Sequence, residues 1–392
     1  MPAPLPRLTP RLAAIPPTIF TTMSALAVRT GSLNLGQGFP DADGPTGMLE
    51  VAARAVLGGA NQYAPGRGVP ALREAVARHQ QRHYGLDLDP ETQVLATAGA
   101  TEGLTAAILA LVGPGDEVVL VEPYYDSYAA AVTMAGGVRR TVGLVPTDDG
   151  LALDTEALRA AVTDRTVALV LNTPHNPTGT VLGEADLAAV AAVAQEHDLV
   201  VVTDEVYEHL TFDGRRHVPL CTLPGMADRT ITVSSAGKSF SVTGWKVGWV
   251  TGSPELVDTV MAAKQWLTFT NAAPLQPAVA HALDHEMGFV SDLAATLAAH
   301  RDLLTEGLAA AGLRPRPSRS TYFLLGDISH LGWSDATEFC LALPERAGVV
   351  AVPAQPFYDS AAGDQLVRWA FCKDRSTLEA ALERLTRADL TR

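Results

Sequence analysis

Between Gln93 and Trp249 the chain alternates short β-branched runs with alanine-rich stretches of helical length, and this alternation restricts the fold more than any other feature. Gln93 to Ala98, Glu117 to Val121, Val167 to Leu171, Leu199 to Thr203 and Ile231 to Val233 read as strands, with helices over Gly99 to Val112 and Glu184 to Glu196. Strands that alternate with helices build an α/β fold, a mostly parallel sheet sandwiched by helices. Such sheets keep their chemistry at the carboxyl ends of the strands. Four polar segments fall at those ends: Gly99 to Thr101, Asn172-Thr-Pro-His-Asn-Pro-Thr-Gly179, Thr203-Asp-Glu-Val-Tyr207 and Ser234 to Lys246. Polar groups gathered at the edge of an apolar sheet are costly when unpaired, so a shared polar ligand is expected there.

Helices dominate from Pro254 to about Ala311, and strands follow near 321–325, 349–352 and 366–371, with helices at about 334–344 and 375–388. This last third reads as a smaller α+β domain on which the amino-terminal segment packs. The expected division is a small domain of residues 1–45 and 285–392 and a large one of residues 46–284. No run approaches the roughly 18 apolar residues of a membrane span. The start, Met1-Pro-Ala-Pro-Leu-Pro-Arg-Leu-Thr-Pro10, lacks the apolar core of an export signal, and Cys221, Cys340 and Cys372 lie far apart with no paired spacing. A cytoplasmic protein with reduced cysteines is expected. The net charge of −14 opposes a nucleic-acid partner, because phosphate backbones are held by clustered Lys and Arg.

Four lysines stand against 25 arginines, so a lysine reserved for amine chemistry has few rivals. Lys238 lies in Ile231-Thr-Val-Ser-Ser-Ala-Gly-Lys-Ser-Phe-Ser-Val-Thr-Gly-Trp-Lys-Val-Gly-Trp249, on a loop leaving a buried strand, with a second strand starting from Lys246. A desolvated lysine near a second cation loses its proton readily and attacks carbonyl groups. Gly237-Lys238-Ser239 imitates the end of a phosphate-binding P-loop, but Thr232, inside the strand, stands where the first glycine belongs. Gly66-x-Gly68-x-x-Ala71 imitates a dinucleotide fingerprint, yet no strand precedes it. The pairs His79/His83 and His281/His285 have helical spacing but lack the Glu of His-Glu-x-x-His and any evident third ligand, so they read as solvated helix faces with no metal.

The Lys238 stretch resembles, at every fixed position, the Schiff-base segment of class I, fold-type I pyridoxal-phosphate aminotransferases: Ser-x-x-Lys followed by Gly-Trp-[Arg/Lys]-x-Gly. Asn34-Leu-Gly-Gln-Gly-Phe-Pro-Asp41, Asn61-Gln-Tyr63 and the four strand-end segments match the family in order, so the resemblance covers essentially the whole chain. It implies pyridoxal 5'-phosphate bound through Lys238, with Asp204 on the ring nitrogen and Asn176 and Tyr207 on the phenolic oxygen. Thr101, Ser235, Lys246 and the Ala100 N–H would hold the phosphate; Lys replaces the family's frequent Arg at 246 and gives charge without the two-pronged geometry. Tyr125 would stack on the ring, although core packing explains an aromatic there equally well. Tyr63 would reach the neighbour's phosphate in a homodimer with shared active sites. Gly38, Phe20, Asn176 and Arg368 would meet the substrate; Arg368, in Val367-Arg-Trp-Ala-Phe371, would grip the α-carboxylate, its alternative being a structural strand arginine.

The resemblance implies a ping-pong exchange of an amino group between an L-amino acid and a 2-oxo acid, with Lys238 as general base and acid. A β-lyase on the same scaffold is the competing activity. The run of motifs is most like the actinobacterial N-succinyldiaminopimelate aminotransferases of lysine biosynthesis, and kynurenine and glutamine aminotransferases share those signatures. Aspartate-type enzymes read a second carboxylate with an arginine, and none occurs here between Arg229 and Arg301. Ile19, Phe20 and Tyr63 suggest room for a long or aromatic side chain, with Arg67 as the candidate contact for a distal carboxylate.

Overall fold

The computed structural model describes residues 8–147 and 150–392. Residues 1–7, on which much of the reading of the amino terminus rests, lie outside the described residues. The strands, in chain order, are β1 (Leu33–Asn34), β2 (Val94–Thr97), β3 (Glu117–Glu122), β4 (Val138–Thr147), β5 (Gly150–Leu153), β6 (Thr166–Asn172), β7 (Val200–Asp204), β8 (Thr230–Ser235), β9 (Gly248–Thr251), β10 (Arg314–Pro315), β11 (Phe323–Asp327), β12 (Val349–Val350), β13 (Val352–Pro353) and β14 (Leu366–Ala370). Eight of them form one sheet in the order β2-β9-β8-β7-β6-β3-β4-β5. The β8-β7-β6-β3-β4 run is parallel, and β2-β9, β9-β8 and β4-β5 are antiparallel.

The registers bring the expected site together. Asn172 lies opposite Asp204, Asp204 opposite Val233, and Gly248 between Ser235 and Thr97. Because β6, β7 and β8 run the same way, their polar carboxyl ends open on one edge. The central strands are buried on both faces, as parallel strands covered by helices must be. The Gly99–Leu111 and Asp126–Ala135 helices pack on one face with Leu95, Val118, Val170 and Val233, and the Glu184–Glu196 helix packs on the other with Val119, Leu169 and Val201.

Helix boundaries follow local chemistry. Gly183 opens the Glu184–Glu196 helix with its N–H on the Asp186 carboxylate at 3.0 Å. Asp335 caps the Ala336–Ala347 helix by accepting from the N–H groups of Thr337 and Glu338, and Gly348 ends it at φ +62°, a conformation natural to glycine. Two expectations shift. Lys238 sits in a short helical turn, Ala236–Ser239, and the strand after it starts at Gly248, since Lys246 itself adopts φ +54°.

The last third forms the antiparallel sheet β10-β11-β14-β13, in which Arg368 faces Leu325 on one side and Val352 on the other. The amino-terminal strand β1 pairs in parallel with β12, Leu33 opposite Val349, and Ala370 donates its N–H to the Leu35 carbonyl. Gly36, Gln37 and Gly38 thereby come to lie beside Arg368. Among the described residues no helix is long and apolar enough to cross a membrane.

Candidate active site

A cavity of about 220 Å³ opens at the carboxyl edge of the large sheet and meets β14 of the small one. Ala100, Thr101, Tyr125, Asn176, Asp204, Tyr207, Ser235, Lys238, Lys246, Gly38, Phe20 and Arg368 all line it. Of the residues expected at the site, Tyr63 and Arg67 do not line this cavity and Ile19 lines an adjoining one; the others come to one place from segments as far apart in the chain as Phe20 and Arg368.

At one end the Gly99–Leu111 helix presents its amino terminus, where N–H groups and the helix dipole attract anions. Gly99 has φ +73°, and a Cβ there would stand 3.0 Å from Lys246 Nζ. A Cβ on Gly248 would come within 2.7 Å of the Gly99 carbonyl carbon. These two glycines let the Lys246 ammonium reach the helix start, beside the Thr101 and Ser235 hydroxyls. Glu102, in the same first turn, points elsewhere: it accepts from the Ala98 N–H at 2.6 Å and from the Thr268 hydroxyl at 2.5 Å.

At the other end Asp204 is fully enclosed. Burial pushes its carboxyl up to about 6, against hydrogen bonds from the Tyr128 hydroxyl at 2.5 Å and the Val206 N–H at 3.3 Å. Burial also pulls the Lys238 amine down to about 8, with Lys246 and Arg368 adding repulsion, which makes it a ready proton acceptor near neutrality. Lys238 Nζ lies 5.8 Å from the centre of the Tyr207 ring and 5.6 Å from that of Tyr322. Tyr322 in turn donates to the Gly38 carbonyl at 2.6 Å, fixing the glycine loop against the cavity.

Arg368 is buried among Phe20, Phe323 and Phe357, with its guanidinium carbon 4.0 Å from the Phe323 ring centre. Burial lowers it to about 10. It donates to Asn176 Oδ1 at 3.2 Å and to the Gly36 carbonyl at 2.9 Å, while its Nε has no partner among the described residues. A buried guanidinium with an unused donor is arranged for an incoming carboxylate.

Pyridoxal phosphate fits these residues. Its phosphate meets a helix start, two hydroxyls and an ammonium; its ring nitrogen, once protonated, gives the enclosed Asp204 carboxylate a cation; its aldehyde has a partly deprotonated lysine. Sequence reasoning missed Tyr128 and Tyr322, whose hydroxyls serve Asp204 and Gly38, and Asn172, which binds the Asp204 carbonyl through Nδ2 and the Asn176 N–H through Oδ1. Asn172 ends β6, Tyr128 lies in the Asp126–Ala135 helix and Tyr322 in the turn before β11, and only the tertiary fold reveals the partner of each.

Tyr63, expected at the neighbour's phosphate, does not line the cavity of its own chain; it is 83 % exposed and packs edge-on against Phe269. Two expectations need correction. Arg67 is no cavity-mouth residue, for it is paired with Asp258 and reaches the Thr92 carbonyl. His79 does not lie on a solvated face: it is fully buried, 2.7 Å from His209, because the Pro70–Tyr84 helix buries Arg73, His79 and Gln80 as well as its apolar residues.

Comparison with known proteins agrees with this geometry. The family profile for aminotransferase class I and II matches residues 30–385. The probable N-succinyldiaminopimelate aminotransferase DapC of Mycobacterium tuberculosis is 54 % identical over 385 residues, covering 96 % of this chain and 97 % of that protein. A solved N-succinyldiaminopimelate aminotransferase from the same organism superposes with a TM-score of 0.95, covering 97 % of this chain and 99 % of the other. The methionine aminotransferase of Escherichia coli is 42 % identical over 375 residues, with coverage of 96 % and 97 %. Matched along nearly its whole length, and with a cavity fitted to the shared cofactor, the chain belongs to the pyridoxal-phosphate-dependent class I and II aminotransferases.

Proposed function

We propose that Lys238 is the catalytic residue of an aminotransferase whose amino donor is N-succinyl-LL-diaminopimelate and whose acceptor is 2-oxoglutarate, in lysine biosynthesis. One observation carries the catalytic part: the depressed Lys238 amine shares one cavity with a buried carboxylate, Asp204, and a buried arginine, Arg368. Bound pyridoxal phosphate supplies an electron-withdrawing ring that stabilises the charge left at the substrate α-carbon. Asp204 would keep that ring nitrogen protonated, and Asn176 and Tyr207 would donate to its phenolic oxygen. Ala100, Thr101, Ser235 and Lys246 would hold the phosphate, and Tyr125 would face the ring. Arg368 takes the substrate α-carboxylate through paired N–H groups, which orients the α-carbon bond to be broken. Lys238 Nζ accepts the α-proton and later returns it.

The donor is argued from space. A second cavity, of about 640 Å³, shares Phe20 and Tyr125 with the first and is walled by Ile19, Tyr358, Thr18, Ser127 and Arg139. A long side chain can run past Phe20 and Tyr125 with its methylenes on apolar wall toward Ser127 and Arg139; Arg139 takes the place expected of Arg67, and a distal carboxylate would share it with Asp359, to which it is paired at 3.1 Å. The names of the relatives support this donor and also bring methionine and kynurenine into the comparison.

We further propose a homodimer with shared active sites. Leu57, Tyr63, Trp266 and Phe269 are large apolar residues, all exposed, and Tyr63 touches Phe269; a two-fold contact would cover them and bring Tyr63 to the neighbour's phosphate. The domain division at 45/46 and 284/285 is supported by the pairing of β1 with β12. Three free cysteines suit a reducing, cytoplasmic setting.

The test is a donor panel with 2-oxoglutarate on purified protein and its Lys238→Ala variant. N-succinyl-LL-diaminopimelate should outperform methionine, kynurenine and aspartate, and Lys238→Ala should lose at least about 10²–10⁴-fold in turnover. A better rate with kynurenine would overturn the donor, and full activity in the variant would overturn the role of Lys238. Light scattering that found an active monomer would remove the dimer.

A further inference from the structure

Five residues beyond Asp204 the chain brings His209 against the Pro70–Tyr84 helix, where His79 and His83 stand one turn apart. The ring centres are 4.6 Å apart for His79 and His83, 4.9 Å for His79 and His209, and 4.8 Å for His83 and His209. One potential ligand atom from each ring lies within 4.8 Å of the other two. His79 Nε2 and His209 Nε2 are 2.7 Å apart, a hydrogen bond that accounts for two rings and leaves the convergence of the third unexplained.

The surroundings favour a cation. Glu208 is buried beside the cluster, with Oε2 3.8 Å from His209 Nε2, and its oxygens accept from the hydroxyls of Tyr84 and Ser234 at 2.6 Å each. These neutral donors solvate the carboxylate and leave its negative charge facing the histidine rings, a setting that favours a bound cation. Burial lowers all three histidines, His79 to about 3, and so favours the neutral form that ligates metals. His83 is exposed, which opens the cluster to solvent.

We propose that His79, His83 and His209 form a binding site for one divalent transition-metal ion, zinc by ligand type, with its fourth position open to water. Neutral imidazoles suit zinc, copper and nickel, and three protein ligands leave a tetrahedral zinc one exchangeable position. Zinc–nitrogen bonds of about 2.0–2.1 Å set the nitrogens about 3.3 Å apart at the tetrahedral angle, so His79 and His209 need to part by about half an ångström. The proton between them moves to an Nδ1, and no net proton is released. The ion would tie the Pro70–Tyr84 helix to the segment that carries Asp204 and Tyr207 into the cavity. The site is independent of the donor proposed above.

The experiment is calorimetric titration of zinc chloride into tag-free, cofactor-loaded enzyme, with cobalt(II) absorption as a readout of geometry. The wild type should take up one ion per chain, and cobalt should give the strong visible bands of a four-coordinate site. His83→Ala, which changes an exposed side chain, and His209→Asn should each weaken binding by at least about tenfold, the scale seen even for losses beyond the direct ligands. Bound-cofactor absorbance checks that each variant is folded. His281→Ala, in the other histidine pair, should bind as the wild type does. Absence of saturable uptake by the wild type, or equal affinity in His83→Ala, would overturn the proposal.

Discussion

Asp204 and Glu208 are buried carboxylates four residues apart, yet their acidities are driven in opposite directions. Asp204, at the end of β7, is pushed up to about 6 by burial. Burial opposes the charge of Glu208 too, but His209, His79 and the hydroxyls of Ser234 and Tyr84 bring it down to about 2. Each has donors on both oxygens, so counting hydrogen bonds does not separate them. The difference lies in what completes each group. Glu208 is stabilised by its own chain, whereas Asp204 lines a cavity beside a lysine that is itself depressed, and its charge awaits a ligand. Buried polarity around Asp204 serves cofactor binding, at a cost in stability that the cofactor offsets.

The largest effect expected from this contrast is catalytic. Asp204→Asn should cost at least about a hundredfold in turnover, the scale of removing one electrostatic stabiliser from an active site. Glu208→Gln keeps the shape, with its NH2 donating to one of the two hydroxyls that the carboxylate accepts from, and should stay within about threefold, a barrier change under about 0.7 kcal/mol. Steady-state rates on both variants check this, and similar losses in the two would break the comparison.

Arg368 extends the argument to a cation, since it too is buried on the cavity side with bonding capacity to spare. Arg368→Lys keeps the charge and loses the planar fork, so kcat/KM with amino acids should fall about tenfold, or about 1.5 kcal/mol. An unchanged value would make Arg368 a structural residue.

A smaller, pH-dependent effect is expected in the cofactor-free protein. Lys238 titrates near 8 when folded against 10.5 in the open chain, so between those values the unfolded state holds more protons and stability rises with pH. Below pH 8 the full penalty is present, at most about 3 kcal/mol for such a shift. Lys238→Met should therefore unfold at a higher temperature than the wild type at pH 7, with the gap closing as pH rises from 8 to 10.5. A gap that widened over that window would contradict the assignment.

Much of this was legible in the sequence. The alternation of apolar runs marked β2, β3, β6, β7 and β8, and the Glu184–Glu196 helix falls at its expected residues, because periodicity and capping are local; β4 and β5, at the sheet edge and largely unburied, went unmarked. The site residues were legible through the resemblance to the aminotransferase family, and those at the ends of β6, β7 and β8 converge because these strands are parallel. Strand order was not: β2 and β9 pair across 150 residues, and nothing in either segment specifies its neighbour. The histidine cluster also escaped, since the Pro70–Tyr84 helix buries Arg73, His79 and Gln80, so hydrophobic periodicity does not mark its inner face. Its third member, His209, lies 130 positions from His79.

The most direct test of the central claim, that Asp204 is a buried carboxylate completed by the cofactor, is thermal unfolding of wild type and Asp204→Asn at pH 7.5, with and without saturating pyridoxal phosphate. The folded carboxyl titrates near 6 against 3.8 in the open chain, so above pH 6 the ionised group destabilises the empty protein by at most about 3 kcal/mol. Without cofactor the Asn variant should unfold at the higher temperature. With cofactor the wild type should gain more, because tighter binding to the folded state raises stability by mass action, and the order should reverse. A wild type more stable than the variant in the empty state, or a cofactor-induced rise equal in the two proteins, would contradict the account.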